Sequence, residues 1–427
     1  MAPFRGVRYA PGRVSGLAEV TSPPYDVIAH DIEDQLIAAD PHNVVRLILP
    51  RSAAGPPGEN YQDAARTLRQ WQDERILVPD QVPGLYVYEQ ALPGRSGALQ
   101  RGLIGALRLI PPEAGTVLPH EDVVPGPVTG RRQLMEATQA NLEPIFLLYD
   151  GSRPGAATRL AEDVATGREP LVEALTEDAV RHRLWAVTGP AEIAAVAADL
   201  APRQALIADG HHRYAAYRQL QERRRARAGR GGPWDYGLAL LVDSAAYPPR
   251  IGAIHRVIPG LAPATAVGLA KAAFCVRPLP GGTQDMPAAL GALSQAARNG
   301  GVAFLVAGGG EAHLLSEPDP VQLDAAMPPG RSPRWRGLAA SVLQELLMTR
   351  VWGVRDDERS VRIVHHDAAL AVRAADQAPG GTAVICTALS AADVYAVAAN
   401  GERVPRKSTS FGPKPRTGLV IRTFAQG

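Results

Sequence analysis

Cysteine is scarce in this 427-residue chain, which contains only Cys275 and Cys386. Each cysteine lies in an apolar run, and the two form no Cys-x-x-Cys pair, which argues against a disulfide framework and against a cysteine-rich zinc site. We therefore expect both to be small buried hydrophobic residues. Aromatic residues make up 5% of the chain, so Leu, Val, Ile and Ala must fill most of the core.

Long apolar stretches are also missing. No window approaches the roughly 18 apolar residues of a membrane span, and residues 1–6 lack the apolar segment of a signal peptide. We therefore expect a cytoplasmic protein that does not enter a membrane. No sign of charge dominates, since 45 basic and 43 acidic residues give a net charge of +2. This balance argues against a dedicated nucleic-acid-binding protein.

The length of the chain exceeds the size at which one hydrophobic core keeps growing. Apolar residues at helical spacing and at strand spacing follow one another along it. We predict a mixed α/β fold with a mixed sheet and α+β character. Local patterns predict a strand at 44–49, a polar loop at 117–132 and a helix at 213–228. The predicted subdomains are 1–150, 151–258 and 259–427.

The first candidate site lies between a predicted strand and a predicted helix, and it consists of Asp209, Gly210, His211, His212 and Arg213. Gly210 permits a turn with positive φ, and the N–H groups that open the helix favour an anion. Arg213 suits bidentate binding of phosphate, while Asp209 suits a helix cap, a metal or the orientation of a histidine. The alternative is a plain Asp cap beside two surface histidines. As a zinc motif the segment is weak, because adjacent histidines do not easily chelate one ion.

The second candidate site is His120-Glu121-Asp122, with Arg131 and Arg132 a few residues further on. This segment is rich in Pro and Gly and is predicted to be a loop, where functional groups concentrate. Glu121 suits a general base or a magnesium ligand. The alternative is an exposed charged loop.

The third candidate site is the stretch 406–418, which holds four cations, three hydroxyls before Phe411, and no acid. Lys407, Ser408, Thr409 and Lys414 are its candidate phosphate ligands, because ammonium and hydroxyl groups bind phosphate oxygens. It does not match the pattern of a Walker loop. The alternative is a disordered basic tail.

In order and spacing, these segments resemble a bacterial and archaeal family of unknown function, family 1015, over nearly the whole chain. The residues that carry the resemblance are 3–6, 23–27, 120–121, 208–214, 407–409 and 413–414. The turn 209–213 is also similar to the Asp-Gly-x-His-Arg element of the ParB/sulfiredoxin-like superfamily. That superfamily includes nucleotide-binding partition proteins, sulfinic-acid reductases and free-serine kinases. The local resemblance implies a turn beside nucleotide phosphates and a ParB/sulfiredoxin-like central subdomain.

The leading hypothesis is a nucleotide-dependent kinase or phosphotransferase acting on free serine or a related hydroxyl metabolite, with ATP and Mg²⁺ as expected cofactors. Its expected catalytic residues are His120, Glu121, Asp209, His211 and His212. Its expected phosphate or nucleotide ligands are Gly210, Arg213, Arg131, Lys407, Ser408, Thr409 and Lys414. Asp209 and Glu121 are the expected metal ligands.

Three alternatives stay open at this point. The first is a nucleotide-binding regulator of the ParB type that transfers no phosphoryl group. The second is a metal-dependent phosphohydrolase with Asp209, His211 and His212 on the metal. The third is a metabolite-binding protein without turnover. All of them predict a phosphorylated small-molecule partner, and all leave a homo-oligomer open.

Overall fold

The computed structural model of the chain describes residues 1–51, 61–94, 97–152, 155–298, 301–357 and 359–425. Contacts divide the chain into two units: unit 1 is Met1–Pro249 with Pro413–Gly427, and unit 2 is Arg250–Gly412. Unit 2 is thus an insertion in the sequence of unit 1. This division differs from the predicted subdomains for two reasons. One sheet takes strands from both sides of residue 150, and the segment after residue 412 packs in unit 1.

Unit 1 combines short and long strands with helices on a mixed sheet. Its strands are β1 (Val7–Tyr9), β2 (Leu77–Pro79), β3 (Leu85–Ala91), β4 (Ala98–Arg108), β5 (Val117–Leu118), β6 (Ala140–Asn141), β7 (Ile145–Tyr149), β8 (Val172–Leu175), β9 (Arg181–Val187), β10 (Ala205–Asp209), β11 (Tyr236–Asp243) and, near the end of the chain, β20 (Arg422–Thr423). Its helices are α1 (Leu17–Val20), α2 (His30–Ala39), α3 (Val45–Ile48), α4 (Tyr61–Asp73), α5 (Pro125–Thr138), α6 (Ala156–Gly167), α7 (Pro190–Leu200) and α8 (His211–Ala228).

The main sheet of unit 1 has eight strands among the described residues, in the order β5-β10-β7-β11-β4-β3-β9-β8. Strand β7 runs parallel to β11 and antiparallel to β10, while β10 runs parallel to β5. The predicted mixed α/β fold is therefore confirmed. Because β5 and β10 point in the same direction, the residues that follow them leave the sheet at the same edge. Those residues are the first two candidate sites.

The core of unit 1 rests on aliphatic side chains, as the scarcity of aromatic residues requires. Strands β7 and β10 are buried along their whole length, which their continuous apolar sequences explain. The amphipathic helix α4 buries Leu68 and Trp71, each worth about 1.5–3 kcal/mol on burial.

Two local predictions in unit 1 were wrong. Residues Val45–Ile48 form a helix instead of a strand, because the Asn43 side chain accepts a hydrogen bond from the Val45 N–H at 2.9 Å and starts a helical turn. Residues Pro125–Thr138 form a helix, which includes the second half of the polar loop predicted at 117–132. Pro125 stands at the start of that helix, where a missing N–H costs nothing. Helix α8 also begins two residues earlier than predicted, at His211.

Unit 2 contains a second sheet, in which every recorded strand pair is antiparallel. The strands of this sheet are β13 (Ile254–Ile258), β14 (Cys275–Pro278), β15 (Ala303–Gly308), β16 (Glu311–Ser316), β17 (Arg362–His365) and β18 (Thr382–Ile385). Two further strands of unit 2, β12 (Arg250–Ile251) and β19 (Phe411–Gly412), pair with each other. The helices of unit 2 are α9 (Pro263–Ala270), α10 (Met286–Ala297), α11 (Pro320–Ala326), α12 (Pro333–Arg336), α13 (Ala339–Ser341), a π-helix (Val342–Val351), α14 (Ala368–Gln377) and α15 (Ala391–Ala399).

The two cysteines lie in unit 2 and differ in burial. Cys386 is buried as expected, whereas Cys275 is exposed, because it lies on β14 at the edge of the sheet order β14-β16-β15-β18-β13-β17. Among the described residues, no helix is both long enough and apolar enough to cross a membrane.

Candidate functional site

The turn between β10 and α8 is shaped by Gly210. Its φ of 94° and ψ of 31° lie in the left-handed region, which L-residues with a side chain rarely adopt. The Tyr214 N–H donates to the Gly210 carbonyl at 2.8 Å, which closes the first turn of α8. The N–H groups before Tyr214 have no acceptor within the helix. Together with the helix dipole, they produce a positive potential at this end of α8.

The segment after β5 meets the start of α8. The His120 N–H donates to Nε2 of His211 at 3.2 Å, and the centres of the two rings lie 4.4 Å apart at nearly a right angle. The Val124 N–H donates to Nε2 of His212 at 3.0 Å. His120 has no exposed surface, and His211 is 8% exposed. The structure therefore brings together two candidate sites that lie about 90 residues apart in sequence.

Glu121 completes a group of three polar side chains at this place. One ligand atom from each of His120, Glu121 and His211 lies within 4.8 Å of the other two. Glu121 is half-buried, while both histidines are buried. The group offers two imidazole nitrogens and one carboxylate oxygen, which suits acid–base chemistry or metal ligation.

Asp209 has a different environment from the metal site predicted for it. Its Oδ2 accepts from the Arg213 guanidinium, and its Oδ1 lies 2.5 Å from Nζ of Lys414. Asp209 is also 7% exposed, so both oxygens of a buried carboxylate are already bound by cations. This geometry favours a structural ion pair over a magnesium ligand.

Arg213 is buried beside the turn, and its guanidinium binds groups within unit 1. Its Nη1 donates to the Pro144 carbonyl at 2.6 Å, and the side chain is 3% exposed. Burial acts to lower the pKa of Arg213, but the charges of Asp209 and Glu143 outweigh it and raise the pKa above its ordinary value. The guanidinium group that was predicted to bind phosphate is thus bound by partners within unit 1.

Lys414 lies between two carboxylates. Its Nζ is 2.7 Å from Oδ2 of Asp26 and 2.5 Å from Oδ1 of Asp209. Burial acts to lower the pKa of Lys414, whereas these two charges raise it above its ordinary value. Burial conversely acts to raise the pKa of Asp26, and the charge of Lys414 lowers it. Lys414 therefore attaches the segment after residue 412 to β10 and to the 3-10 turn Tyr25–Val27.

A second buried network lies beside this one. The Arg131 guanidinium carbon lies 4.1 Å from the centre of the Tyr25 ring, and Arg131 Nη1 donates to the Ile48 carbonyl at 2.7 Å. The Tyr25 N–H donates to Glu143 at 3.0 Å. Burial raises the pKa of Tyr25 to about 12 and also raises the pKa of Glu143. Arg131, predicted to bind phosphate, thus has partners inside unit 1.

Sequence reasoning missed Glu143, and it included Asp26 only in the segment 23–27 that carries the family resemblance. For Glu143 a signal was present, because this acid lies two residues before the apolar strand β7 (Ile145–Tyr149). An acid so close to a buried strand is expected to be buried and to need a cation nearby. Asp26 carried no comparable signal, because its partner Lys414 lies 388 residues away.

The third candidate site is divided between the two units. Lys414 belongs to unit 1, whereas Lys407, Ser408 and Thr409 belong to unit 2. Lys407 has a φ of 53°, and the Ser408 hydroxyl donates to the Pro405 carbonyl at 2.6 Å. The phosphate-binding role of these three residues stays a prediction.

The family resemblance is confirmed by comparison with family models. Residues 1–340 match the family described as protein of unknown function (DUF1015). Because the match spans most of the chain, the chain belongs to this family. No curated protein matches the chain.

Several solved structures are similar to the chain at low identity. A free serine kinase variant in complex with ADP aligns with 77% of this chain and 94% of its own, with 14% identity and a TM-score of 0.36. A conserved hypothetical protein from Pyrococcus furiosus aligns over 75% and 95%, with 13% identity and a TM-score of 0.34. C-terminally truncated SbnI from Staphylococcus aureus aligns over 75% and 87%, with 11% identity and a TM-score of 0.34. Scores of this size do not establish a shared fold, so a ParB/sulfiredoxin-like central region stays a prediction.

Proposed function

We propose that unit 1 carries the active site of a nucleotide-dependent phosphotransferase that acts on the hydroxyl group of a small metabolite. One observation carries the proposal. The His120-Glu121 segment, with its acid and imidazole groups, contacts the first residue of α8, where the helix end favours an anion. An acceptor hydroxyl and a phosphate group could therefore bind side by side.

The phosphate would be bound by the backbone at the start of α8. The N–H groups of Gly210, His211 and His212 precede the first hydrogen bond within the helix. A negative charge at such a position gains typically about 0.3–1 kcal/mol from the helix dipole alone. Phosphoryl transfer needs positioning and charge stabilisation more than covalent participation of the protein.

Glu121 would accept the proton of the attacking hydroxyl. It is the carboxylate of the three-residue group, and it is half-buried, so a ligand can reach it while part of its surface is shielded from water. His120 and His211 lie within reach to orient it or to share the proton. A well-placed general base contributes about 10²–10⁴-fold to the rate.

Asp209, Arg213 and Lys414 would act as positioning residues. Their ion pairs join the end of β10, the first turn of α8 and the segment after residue 412. Because these side chains bind one another, they fix the direction in which α8 leaves Gly210. The direction of α8 in turn sets where its N–H groups point.

The residues of the site do not fit a magnesium ion held by the protein alone. Mg²⁺ prefers six oxygen ligands in octahedral geometry. Of the two acids expected to bind the metal, Asp209 has both oxygens bound by cations. Glu121 is therefore the carboxylate that remains to bind magnesium. Magnesium in this reaction would therefore be bound mainly by nucleotide phosphates and water.

Free serine is the first acceptor to test. The support is the local resemblance of residues 209–213 to an element found in free-serine kinases. We expect the purified protein with ATP and Mg²⁺ to form ADP and a phosphorylated product with one member of a panel of hydroxyl amino acids. Glu121→Gln should lower kcat by about 10²–10⁴-fold.

The matched control is Glu113→Gln, since Glu113 is exposed on a 3-10 turn between β4 and β5 of the same unit. This variant should keep the wild-type rate. A panel without any phosphorylated product, or an unchanged rate in Glu121→Gln, would contradict the proposal.

A phosphohydrolase is the second candidate function, because the buried pair of His120 and His211 also suits activation of water. The same assay separates the two candidates. A transferase needs the acceptor to form ADP, whereas a hydrolase releases inorganic phosphate from a phosphorylated compound without an acceptor.

A further inference from the structure

We propose that His120, Glu121 and His211 together bind one divalent transition-metal ion of the Zn²⁺ type. Zn²⁺ is commonly ligated by imidazole nitrogen and carboxylate oxygen, and two histidines with one glutamate form a known catalytic set. Metal binding at this site does not depend on the proposed function, whereas any catalytic use of the ion rests on it. With the ion bound, Glu121 would be a ligand, and the ion would take its place in activating the hydroxyl group.

The donor atoms distinguish this ion from magnesium. Two of the three ligand atoms are imidazole nitrogens, which suit Zn, Cu, Fe and Ni, while Mg²⁺ selects oxygen. Asp209, the acid expected from the sequence to hold magnesium, is excluded from the group by its ion pairs to Arg213 and Lys414. The site therefore selects a softer ion than the sequence predicted.

The backbone holds the ligands in place from two directions. His120 follows β5 and His211 follows β10, and these strands are paired in parallel at Ala205–Val117 and Leu206–Leu118. Gly210 sets the direction of α8 and thereby the position of His211. Ligands on such fixed elements lose little conformational entropy when they bind an ion.

The spacing requires a small contraction. The three ligand atoms lie within 4.8 Å of one another. Tetrahedral coordination at about 2.1 Å places ligand atoms roughly 3.4 Å apart, so the side chains would move together by at most about 1.4 Å. Nε2 of His211 accepts the His120 N–H in this structure. Metal binding through that nitrogen would exchange this hydrogen bond for a coordinate bond.

Three protein ligands leave a fourth position open on a tetrahedral ion. The ion would lie close to the start of α8, because His211 is both a ligand and the first residue of that helix. An ion there would act as a Lewis acid toward a phosphate oxygen or a bound water.

The test measures binding of Zn²⁺ and Co²⁺ by the full chain, stripped first with a chelator. We expect one ion per chain by elemental analysis, and visible absorption of tetrahedral Co²⁺. His211→Ala and Glu121→Gln should weaken Zn²⁺ binding by more than the roughly 10- to 100-fold that loss of an outer hydrogen-bond partner costs. His30→Ala is the matched control, because His30 is an exposed histidine at the start of α2 in the same unit, and this variant should bind Zn²⁺ as the wild type does.

A wild-type protein that binds no Zn²⁺ or Co²⁺, or a Glu121→Gln variant with wild-type affinity, overturns the proposal. If His211→Ala fails to fold, Glu121→Gln decides, because Glu121 is half-buried and the replacement has the same shape. The metal-binding and ADP-formation assays together separate this proposal from the proposed function. A chain that binds the ion but forms no ADP supports the metal site and contradicts the kinase. A chain that forms ADP but binds no Zn²⁺ or Co²⁺ supports the kinase and contradicts the metal site.

Discussion

Replacement of Gly210 by alanine should destabilise unit 1 by about 3 kcal/mol. The left-handed backbone costs an L-residue roughly 1–2 kcal/mol. A Cβ at Gly210 would also lie 3.0 Å from Nε of Arg213 and 3.1 Å from Cγ2 of Ile145. Both neighbours are buried, and crowding of this kind costs typically about 1–3 kcal/mol. The expected loss of stability is therefore the sum of a backbone cost and a crowding cost.

Gly229→Ala is the control at the other end of the same helix. Gly229 has a φ of 65°, and no atom lies within 4 Å of the position where its Cβ would be built. It should carry the backbone cost of about 1–2 kcal/mol alone. Urea unfolding of both variants measures the difference. An equal loss of stability in both would show that contacts around Gly210 add nothing, and no loss in Gly210→Ala would refute the conformational reasoning.

Three further predictions concern ionisable side chains. Arg213→Met removes one of the two cations that bind Asp209 and leaves Lys414 as the other. The loss of this charged hydrogen bond should cost about 1.5–3 kcal/mol, part of which Asp209→Asn should restore in a urea-unfolding cycle. Because the pKa of Asp26 is lowered, its contribution to stability is present above its ordinary pKa and is lost as pH falls through the lowered value. Asp26→Asn should therefore reduce the drop in urea midpoint between pH 7 and pH 3. Burial lowers the pKa of His182 to about 4, so an NMR titration should show a neutral ring at pH 6. The unfolded chain binds this proton first, so the free energy of unfolding should fall as pH decreases from about 6.5 toward 4. A titration midpoint near 6.5 for His182 in the folded protein would contradict this.

Much of the turn after β10 could be predicted from the sequence. An apolar run, a glycine and a polar helix follow one another over residues 205–228, and each local preference agrees with the structure. The turn residues also carried the family resemblance. The candidate site was predicted there because its signals are local.

The partners of those residues could not be predicted in the same way. Arg213 was expected to face a phosphate, but it binds Asp209 and the Pro144 carbonyl. The residue types do not distinguish an arginine that awaits a ligand from one that neutralises a buried acid. Which of the two occurs depends on burial, and burial depends on contacts distant in sequence, such as that of Asp209 with Lys414.

Helix α3 (Val45–Ile48) shows a second limit. Its β-branched and aliphatic residues have strand propensity, but strand propensity reflects packing on a half-buried pleated surface more than an intrinsic backbone preference. Here the side chain of Asn43 provides an acceptor for the Val45 N–H, and the segment turns instead of extending.

The insertion of unit 2 within the sequence of unit 1 has a consequence for biosynthesis. Unit 1 needs residues that the ribosome makes only after residue 412, among them Lys414 and the buried Arg422, whose guanidinium donates to Asn141 and to the Pro233 carbonyl. At about 5–20 residues per second, translation of residues 250–412 takes on the order of 10 s. During that interval the carboxylates of Asp26 and Asp209 lack the ammonium group of Lys414. Unit 1 therefore stays incomplete on the ribosome during this interval, when chaperones can bind the nascent chain.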